Sequence, residues 1–325
     1  MITRRRLAEI RELARGREVA VVGDLMLDEF LAGTVERISP EAPVPVLTFQ
    51  SNRYALGGAG NAARTLIALG AKARLVGLVG GDAAGQALMT EARSEGMDVA
   101  GLVMASRRST TLKTRIIAQT QQVVRIDREA AGAVGPAVRR DLKEAALAAL
   151  DTCVAVLVSD YDKGAVSAAL ARDLVERSRA RGVPCIVDSK AVHTAFRGAT
   201  VLTPNVGELA KLARVHAVND KDIARLAGVV MRRLAPDALL VTRSEAGMSL
   251  FALGAERVDV PALATEVRDV TGAGDTVAAV IALGLASGLD LSEAARLATL
   301  AAAVVVRKVG TAAPSWDEMA ALAEG

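Results

Sequence analysis

The sequence Asp-Val-Thr-Gly-Ala-Gly-Asp-Thr, residues 269–276, stands directly before an apolar run that predicts a helix over Asp275–Ser287. Glycines at positions 272 and 274 let the backbone approach a ligand closely. The first amides of a helix lack intrahelical partners and lie at the positive end of its dipole, so they attract anions. This stretch therefore predicts an anion site at residues 272–275, where a phosphoryl group could bind.

Asp275 would lie beside this anion site as a candidate general base. Its carboxylate could take the proton of an attacking hydroxyl, while the amides of Gly272, Ala273 and Gly274 stabilise charge on a transferring phosphoryl group. The same short pattern also occurs in ordinary glycine-rich turns, where an Asp caps the following helix. Taken alone, the loop leaves both interpretations open.

Strand-like apolar runs alternate along the chain with longer helical patterns, which predicts a mostly parallel sheet covered by helices. The predicted strands are Val19–Gly23, Ala73–Val79, Val154–Ser159, Pro184–Asp188, Thr200–Thr203 and Leu239–Thr242. An amphipathic helix is predicted near the N-terminus. The further predicted helices are Gly60–Leu69, Gly85–Glu95, Arg139–Leu150, Val166–Arg181, Asp220–Leu234, Asp275–Ser287 and Ser292–Arg307.

Two segments, Gly33–Tyr54 and Val99–Arg128, break this alternation and are predicted to be extended chain. The first contains three closely spaced prolines. The second contains two strand-like runs on either side of Gln119–Gln121, a pattern typical of a hairpin. We therefore expect a small β-layer that projects from the main sheet.

Composition indicates a folded globular protein, because 51% of the 325 residues are hydrophobic and 24% are charged. A net charge of +3 is too balanced for a protein that binds nucleic acid through charge alone. The apolar stretches are shorter than the ~18 to 20 residues of a spanning helix, and the N-terminus lacks the apolar region of a secretory signal. Cys153 and Cys185 lie in apolar runs without metal-site spacing and are predicted to be buried free thiols. We expect a soluble cytoplasmic protein with no nucleic-acid or membrane partner.

Four short motifs follow one another in the order found in one enzyme family. They are Gly-Asp at 23–24, Gly-Gly-Ala-Gly-Asn-Ala-Ala at 57–63, Asn-Val-Gly-Glu at 205–208 and Thr-Gly-Ala-Gly-Asp at 271–275. Over nearly its whole length, the sequence resembles the PfkB carbohydrate kinases, a ribokinase-like family. The resemblance implies an α/β fold with one kinase domain over residues 1–325. It implies a three-layer α/β/α sandwich with a mostly parallel central sheet and a small β-lid from residues 33–54 and 99–128.

The resemblance also implies the reaction, which is direct transfer of a phosphoryl group from ATP to a sugar hydroxyl in the presence of Mg²⁺. ATP would be bound without a P-loop, since no Gly-x-x-x-x-Gly-Lys-Ser/Thr sequence occurs. The motifs at 23–28, 37–46 and 159–164 further resemble the branch of the family that phosphorylates D-glycero-β-D-manno-heptose 7-phosphate. That reaction, at O1, gives the 1,7-bisphosphate used for ADP-heptose and lipopolysaccharide. His193 and His216 do not form the His-x-Gly-His of the nucleotidyltransferase domain of bifunctional relatives, so a monofunctional kinase is expected.

The resemblance assigns roles to residues by their positions in these motifs. The sugar would be bound by Asp24, Asp28, Gly57, Gly58 and Asn61. Mg²⁺ would be positioned through water by Asn205 and Glu208. The nucleotide would also contact Thr242, Ser244, Gly247, Gly272 and Gly274. A monovalent cation would lie near Asp269 and Thr271.

A phosphate on the substrate needs a cationic partner, and three basic residues lie in suitable motifs. They are Arg115 in the predicted hairpin, Lys163 with the neighbouring Asp160 after a predicted strand, and Lys190 after the next strand. Arginine could bind the phosphate through two hydrogen bonds, and lysine could bind it as a point charge. Each of them could instead be a solvated surface charge.

Other interpretations of these residues are structural or point to a different ligand. Asp24 could cap a turn, and Asn205 followed by Glu208 has the form of a capping box. Residues 58–63 also match the Gly-x-Gly-x-x-Ala of dinucleotide-binding proteins. The preceding residues 52–56 are a poor strand, and this disfavours a dinucleotide site.

Three further alternatives concern substrate, activity and assembly. The catalytic loop does not encode the acceptor, so fructose, ribose or tagatose 6-phosphate could replace the heptose. A non-catalytic sugar-binding regulator on the same fold would lack the base or the loop glycines, and all of these are present. Since lids of this kind often pair, we expect a homodimer.

Overall fold

The computed structural model describes residues 2–119, 121–129, 134–191, 194–215, 222–263 and 266–323. Its strands are β1 (Glu18–Gly23), β2 (Leu25–Ile38), β3 (Pro45–Gly58), β4 (Lys72–Gly80), β5 (Asp98–Ala105), β6 (Thr111–Ala118), β7 (Gln121–Arg128), β8 (Ala155–Asp160), β9 (Cys185–Ser189), β10 (Val201–Leu202), β11 (Ala238–Thr242), β12 (Met248–Ala252) and β13 (Val258–Val260). Its helices are α1 (Arg4–Ala14), α2 (Ala59–Ala68), α3 (Ala83–Ser94), α4 (Pro136–Thr152), α5 (Ala168–Arg181), α6 (Val206–Ala213), α7 (Ile223–Leu234), α8 (Ala273–Ala286), α9 (Leu291–Val305) and α10 (Trp316–Leu322).

The larger sheet has nine strands within the described residues, in the order β13-β12-β11-β10-β9-β8-β1-β4-β5. The strands from β11 to β5 run parallel, and β12 and β13 are added antiparallel at one edge. Parallel neighbours are joined by crossover helices, which cover the faces of such a sheet. The predicted mostly parallel sheet is therefore confirmed.

Alternate side chains of β1 enter two separate hydrophobic cores. Val19 and Val21 pack in the core that includes α1, α2, α8, α9 and α10, while Ala20 and Val22 pack in the core that includes α4, α5 and α7. All four residues are buried, as expected for a strand with both faces covered. The α/β/α sandwich predicted from the sequence is confirmed.

In the part of the chain that the structure describes, the smaller sheet has four strands in the order β3-β2-β6-β7. The antiparallel pair β6 and β7 forms the predicted hairpin. The predicted bounds of this layer, 33–54 and 99–128, are wrong at both ends of the first segment and at the start of the second. Strand β2 already begins at Leu25 and β3 continues to Gly58, whereas Asp98–Ala105 forms β5 at the edge of the larger sheet.

Residues 52–56, predicted to be a poor strand, belong to β3. They pair in register with β2, from Asn52 opposite Leu31 to Leu56 opposite Leu27. This pairing is a tertiary interaction that overrides a weak local preference. Strand β3 runs antiparallel to β2 at the edge of the smaller sheet, so it is not the central parallel strand of a dinucleotide-binding unit.

The predicted helices form, with ends that shift by a few residues. The predicted helix start at Asp220 lies outside the described residues, as do His193 and His216. Cys185 lies in β9, but Cys153 is the C-cap of α4 and not part of a strand. Both are buried free thiols, as predicted. None of the helices in the described ranges is both long and apolar enough to cross a membrane.

The carboxyl ends of the parallel strands bring candidate residues together at one edge of the larger sheet. From β1 the chain extends the sheet in one direction through β4 and β5, and in the other through β8 to β11. Open α/β sheets bind ligands at such a reversal, outside the carboxyl ends of the strands. At this edge Asp24 follows β1, Asp160 ends β8, Lys190 follows β9 and Asn205 follows β10.

Candidate active site

Asp275 lies in the first turn of α8, where it is buried and both carboxylate oxygens accept hydrogen bonds. The hydroxyl of Tyr161 donates to Oδ1 at 2.7 Å, and the side-chain amide of Asn61 donates to Oδ2 at 3.0 Å. Each carboxylate oxygen has a second acceptor position, so a further donor can still approach. The two bonds hold the carboxylate in one orientation beside the predicted anion loop.

Gly272 is the N-cap of α8 and has a φ of +77°, in the left-handed region that favours glycine. A Cβ at this position would collide with the side-chain amide of Asn61, so the close approach of the two segments also requires glycine. The N–H of Thr276 donates to the carbonyl of Gly272 at 3.0 Å and begins the hydrogen bonding of the helix.

The amides of Gly274 and Asp275 precede that first bond and therefore have no acceptor within the helix. They are suited to an anion, as the sequence predicts. The amide of Ala273 differs from the prediction, because it donates to the carbonyl of Val270 at 3.2 Å and is engaged within the loop.

The environment of Asp275 adjusts its proton affinity. Burial, and then the negative charge of Asp188, raise the pKa of Asp275 to about 6. Hydrogen bonds from Tyr161 and Asn61 and the positive charge of Lys190 stabilise the ionised carboxylate and limit this rise. Asp275 is therefore mainly ionised at neutral pH, with a pKa near the range suited to proton transfer.

The carboxylate of Asp24 binds three backbone amides of the loop after β8. Oδ2 accepts from the N–H of Tyr161 at 2.8 Å and of Lys163 at 3.0 Å, and Oδ1 accepts from the N–H of Ala165 at 2.9 Å. Asp24 is only 3% exposed, and burial raises its pKa. Asp24, which the sequence predicts to bind the sugar, therefore orders a loop of the site in this structure.

Asp160 also orders this loop. Its Oδ1 accepts from the N–H of Asp162 at 3.0 Å, and its Oδ2 accepts from the hydroxyl of Ser189 at 2.7 Å. The residue is buried at the end of β8. The bond from Ser189 connects the ends of β8 and β9.

Asp28 lies in β2 and forms an ion pair with Arg115 in β6, with 2.5 Å between Oδ1 and Nη1. Gly57 faces this carboxylate, because a Cβ there would lie 2.9 Å from Oδ2. Gly58 has a φ of +59°, and a Cβ there would lie 2.5 Å from the carbonyl oxygen of Asp24. The two glycines thus bring the carboxylate of Asp28 and the end of β1 close to the backbone before α2.

Lys190 is a partly buried cation between two carboxylates. Its Nζ lies 3.1 Å from Oδ1 of Asp188 and 3.0 Å from Oε1 of Glu208, and 5.5 Å from the ring centroid of Tyr161. Burial alone would lower the pKa of Lys190, but the charges of Asp188 and Glu208 outweigh burial and raise the pKa. A solvated surface charge is therefore the wrong interpretation of Lys190.

Lys163, the remaining predicted cation, extends from the loop held by Asp24. Its Nζ lies 2.7 Å from Oε2 of Glu129, at the end of the smaller sheet. Its carbonyl accepts a hydrogen bond from the guanidinium of Arg108. The loop after β8 is thus joined to the smaller sheet.

Asn205 and Glu208 form the capping box of α6, the structural alternative considered above. The side chain of Asn205 accepts from the N–H of Glu208, and Oε2 of Glu208 accepts from the N–H of Asn205, both at 2.9 Å. Oε1 of Glu208 still faces Lys190. The predicted nucleotide segment is adjacent, since the N–H of Thr242 donates to the carbonyl of Pro204 at 3.0 Å.

Ser244 and Gly247 lie in the turn after β11, with φ values of +52° and +84°. A Cβ at Gly247 would overlap the carbonyl of Val260, so packing against β13 already requires glycine there.

Asp269 forms hydrogen bonds with nearby protein groups. Oδ1 accepts from the N–H and the hydroxyl of Thr271, at 2.9 and 2.6 Å, and Oδ2 accepts from the N–H of Gly310 at 2.8 Å. The three hydrogen bonds accepted by Asp269 tighten the loop before α8.

Tyr161 and Asp188 belong to the site, although the sequence motifs do not reveal their roles. Tyr161 contacts Asp275, and Asp188 raises the pKa of Asp275. The available signal was positional, because both residues stand at the carboxyl ends of neighbouring strands. Which side chain at such an edge turns towards α8 depends on the tertiary structure.

We predict that Tyr161→Phe raises the pKa of Asp275 above that of the unchanged protein by about 1, because the ionised carboxylate loses a hydrogen-bond donor. Carbon NMR titration of labelled aspartate carboxyls measures this pKa, and Asp275→Asn assigns the signal. Tyr54→Phe removes the hydroxyl of the other tyrosine, far along β3, and should leave the titration unchanged. If Asp275 has the same pKa in the Tyr161→Phe and Tyr54→Phe variants, the hydrogen bond from Tyr161 to Asp275 is contradicted.

Comparison with known proteins gives close sequence relatives. A family model for pfkB family carbohydrate kinases matches residues 17–318. The chain is 44% identical over 300 residues to the Bifunctional protein HldE of Geobacter sulfurreducens and 45% identical over 304 residues to that of Rhodopseudomonas palustris strain TIE-1. These matches cover 92% and 93% of this chain but 61% and 62% of the relatives, so the chain spans about three fifths of their length.

Solved structures of low sequence identity share the fold. Phosphofructokinase-2 from Escherichia coli in complex with potassium matches with a TM-score of 0.77 and 22% identity, over 94% of this chain and 97% of that one. Arabidopsis thaliana ribokinase complexed with ribose and ATP matches with a TM-score of 0.74 and 19% identity, over 96% and 99%. The fold is therefore ribokinase-like. Since the family model covers nearly the whole chain, the protein belongs to the pfkB family of carbohydrate kinases, which are phosphotransferases with an alcohol group as acceptor.

Proposed function

We propose that this protein phosphorylates D-glycero-β-D-manno-heptose 7-phosphate at O1 with ATP, giving the 1,7-bisphosphate for ADP-heptose and lipopolysaccharide synthesis. The buried carboxylate of Asp275 beside the N-terminal amides of α8 is the observation that carries the kinase chemistry. The similarity to proteins named HldE supports the choice of sugar. Because those relatives are longer than this chain, the proposal covers only the kinase reaction.

In the proposed mechanism Asp275 is the general base. The O1 hydroxyl of the sugar donates to the carboxylate and loses its proton to it, while O1 forms a bond to the γ-phosphorus of ATP. The bond from that phosphorus to the bridging oxygen breaks and releases ADP. The amides of Gly274 and Asp275 stabilise negative charge on the transferring group.

Lys190 and its neighbours would support this step electrostatically. The ammonium group offsets the charges of Asp188 and Glu208, which would otherwise repel the phosphates of a nucleotide. It also stabilises the ionised form of Asp275, the form that can accept a proton. We assign substrate contacts to Asp28 and Asn61, and loop positioning to Asp24 and Asp160.

The residues present suit Mg²⁺ held mainly through water. Oδ2 of Asp188 is buried and has no hydrogen-bond partner in the described part of the chain, so an oxygen ligand is available beside Lys190. No cluster of three or more His, Cys, Asp or Glu side chains in the described ranges could hold a metal directly. Asn205 and Glu208 would therefore hold the ion through water, as its preference for oxygen ligands and retained waters permits. Bound there, Mg²⁺ would neutralise charge on the nucleotide phosphates.

We also propose a monovalent cation near Asp269 and Thr271. Both carboxylate oxygens of Asp269 accept hydrogen bonds from protein groups. Such an ion would therefore depend on backbone carbonyls of the loop. Activity measured with potassium, sodium and tetramethylammonium salts tests this requirement.

A coupled ADP-release assay over a panel of acceptors tests the substrate. We expect the highest kcat/KM with heptose 7-phosphate, and lower values with fructose, ribose and tagatose 6-phosphate. The physical reason is that the acceptor must match the spacing between the base and the groups that bind its far end. Turnover of one of the other sugars without turnover of the heptose would sink the specific proposal and leave a different sugar kinase.

Asp275→Asn should lower kcat by about 100-fold or more, since the amide cannot accept the proton of the acceptor hydroxyl. Asp290→Asn, at the N-cap of α9, is the matched control, because Asn and Asp stabilise a helix N-terminus to about the same extent. Both variants should keep the thermal midpoint of the unchanged protein to within a few degrees. A rate for Asp275→Asn within about tenfold of the control would rule out Asp275 as the base.

We further propose a homodimer through the smaller sheet. Tyr54 and Ile126 lie in one row across that sheet, and Val124 lies on the same face of β7. Their exposed fractions are 36%, 46% and 45%, so this face presents apolar surface to solvent. Sedimentation velocity should give a dimer for the unchanged protein and for Leu253→Glu, an exposed position in another part of the fold, but a monomer for Val124→Glu. A monomer for all three proteins would contradict the proposal.

A further inference from the structure

We infer that the phosphate group of the acceptor binds between the ammonium groups of Lys113 and Lys163, at the position that the carboxylate of Glu129 takes in this structure. The inference deepens the proposed function and rests on it for the identity of the sugar. It assigns a binding role to Lys113, which none of the sequence motifs singles out, and a competing role to Glu129.

One carboxylate connects two lysines from separate parts of the fold. Oε2 of Glu129 lies 2.7 Å from Nζ of Lys163, in the loop after β8, and Oε1 lies 3.5 Å from Nζ of Lys113, in β6. Nζ of Lys113 also lies 3.1 Å from Oδ2 of Asp127. Two cations that converge on one anionic group form a site that a phosphate can also occupy, since lysine binds phosphate as a point charge.

The same loop connects this pair to the candidate base. Asp24 holds the amides of Tyr161 and Lys163 together, and the hydroxyl of Tyr161 reaches Asp275. The loop therefore presents a cation at one end and a contact to the base at the other. A sugar phosphate that reacts through a hydroxyl far from its phosphate has the same two-ended form.

Lys113 lies on the face of the smaller sheet that carries Asp28 and Arg115. Lys113 is opposite Asp28 in the register of β2 and β6, and Arg115 is two residues further along the same strand. Phe30 lies on this face as well, opposite Arg115, and a Cβ at Gly310 would lie 3.8 Å from its ring. The N–H of Gly310 donates to Asp269 in the loop before α8. This face is thus directed at the site, so a ligand that contacts Asp28 can reach Lys113.

Burial distinguishes Glu129 from the partners of the other cations. The side chain of Glu129 is 40% exposed. That of Asp28, the partner of Arg115, is only 4% exposed. The partners of Lys190 are also largely buried, with exposures of 4% for Asp188 and 10% for Glu208. Separating a buried carboxylate from its cation leaves an uncompensated buried charge, which is strongly unfavourable. An exposed carboxylate is solvated by water when it leaves, and its ion pair is weak. A phosphate therefore displaces Glu129 far more readily than it displaces the buried carboxylates.

Asp127 does not need to leave when the phosphate binds. It also pairs with Arg125, at 2.8 Å between Oδ1 and Nε, so it keeps a cationic partner. Lys113 can then turn from one carboxylate to the phosphate. The carboxylate of Glu129 is accordingly the group that competes with the substrate.

The test measures the dissociation constant of inorganic phosphate by calorimetry, with a non-hydrolysable ATP analogue present to fill the anion site at α8. It also measures the KM of the acceptor in the ADP-release assay. Lys113→Met and Lys163→Met should each weaken phosphate binding and raise the acceptor KM at least about tenfold, with the KM of ATP unchanged. The backbone N–H of residue 163 remains, so the bond to Asp24 is kept. Lys143→Met, which removes a lysine paired with Asp173 between α4 and α5, is the matched control and should change neither quantity.

Glu129→Gln gives the opposite expectation. Removing the competing charge should strengthen phosphate binding and lower the acceptor KM by about two- to fivefold, the range of a weak exposed ion pair. Unchanged phosphate binding in both lysine variants, or weaker binding in Glu129→Gln, would overturn the inference. If phosphate binding follows the lysines but the heptose is not turned over, the site stands for another sugar phosphate and the proposed function fails instead.

Discussion

The carboxylate of Asp24, bound to three amides of the loop after β8, is the contact on which the rest of the site depends. It joins the end of the central strand β1 to the loop that carries Tyr161 and Lys163. A carboxylate that accepts several backbone hydrogen bonds in a buried place fixes its donors firmly, because an unsatisfied buried charge is costly. The direction of Tyr161 towards Asp275, and of Lys163 towards the smaller sheet, follows from this contact.

A second constraint is the balance of buried charge at the carboxyl ends of the strands. Lys190 is shared by Asp188 and Glu208, and its charge also acts on Asp275. Burial, and then the negative charge of Asp188, raise the pKa of Asp275 towards neutrality, while hydrogen bonds from Tyr161 and Asn61 stabilise its ionised form. The same acidic surroundings favour a nucleotide that arrives with a neutralising cation. In the proposed reaction, one arrangement of charges would thus serve both proton uptake and phosphate binding.

Sequence patterns predicted the sandwich well, because alternation of apolar strands and helices reports burial directly. They were less informative for the smaller sheet, where residues 52–56 have weak strand character and are held by pairing with β2. The motifs also identified Asp275, Asn61 and Lys190, which the structure brings together. They did not identify Tyr161. The sugar contact that they predict for Asp24 stays a prediction, and the structure adds that this carboxylate accepts hydrogen bonds from the backbone.

By itself the sequence determined the family, the order of strands and helices, and the anion loop at the start of α8, because glycine spacing and apolar periodicity are local properties. Only the tertiary structure decided the partners of each charged side chain: Asp24 with a loop, Lys190 with Asp188 and Glu208, and Lys113 and Lys163 with Glu129. Ion pairs and buried hydrogen bonds join residues that are distant along the chain. Their geometry and desolvation depend on how the two sheets meet, which no single stretch of sequence encodes.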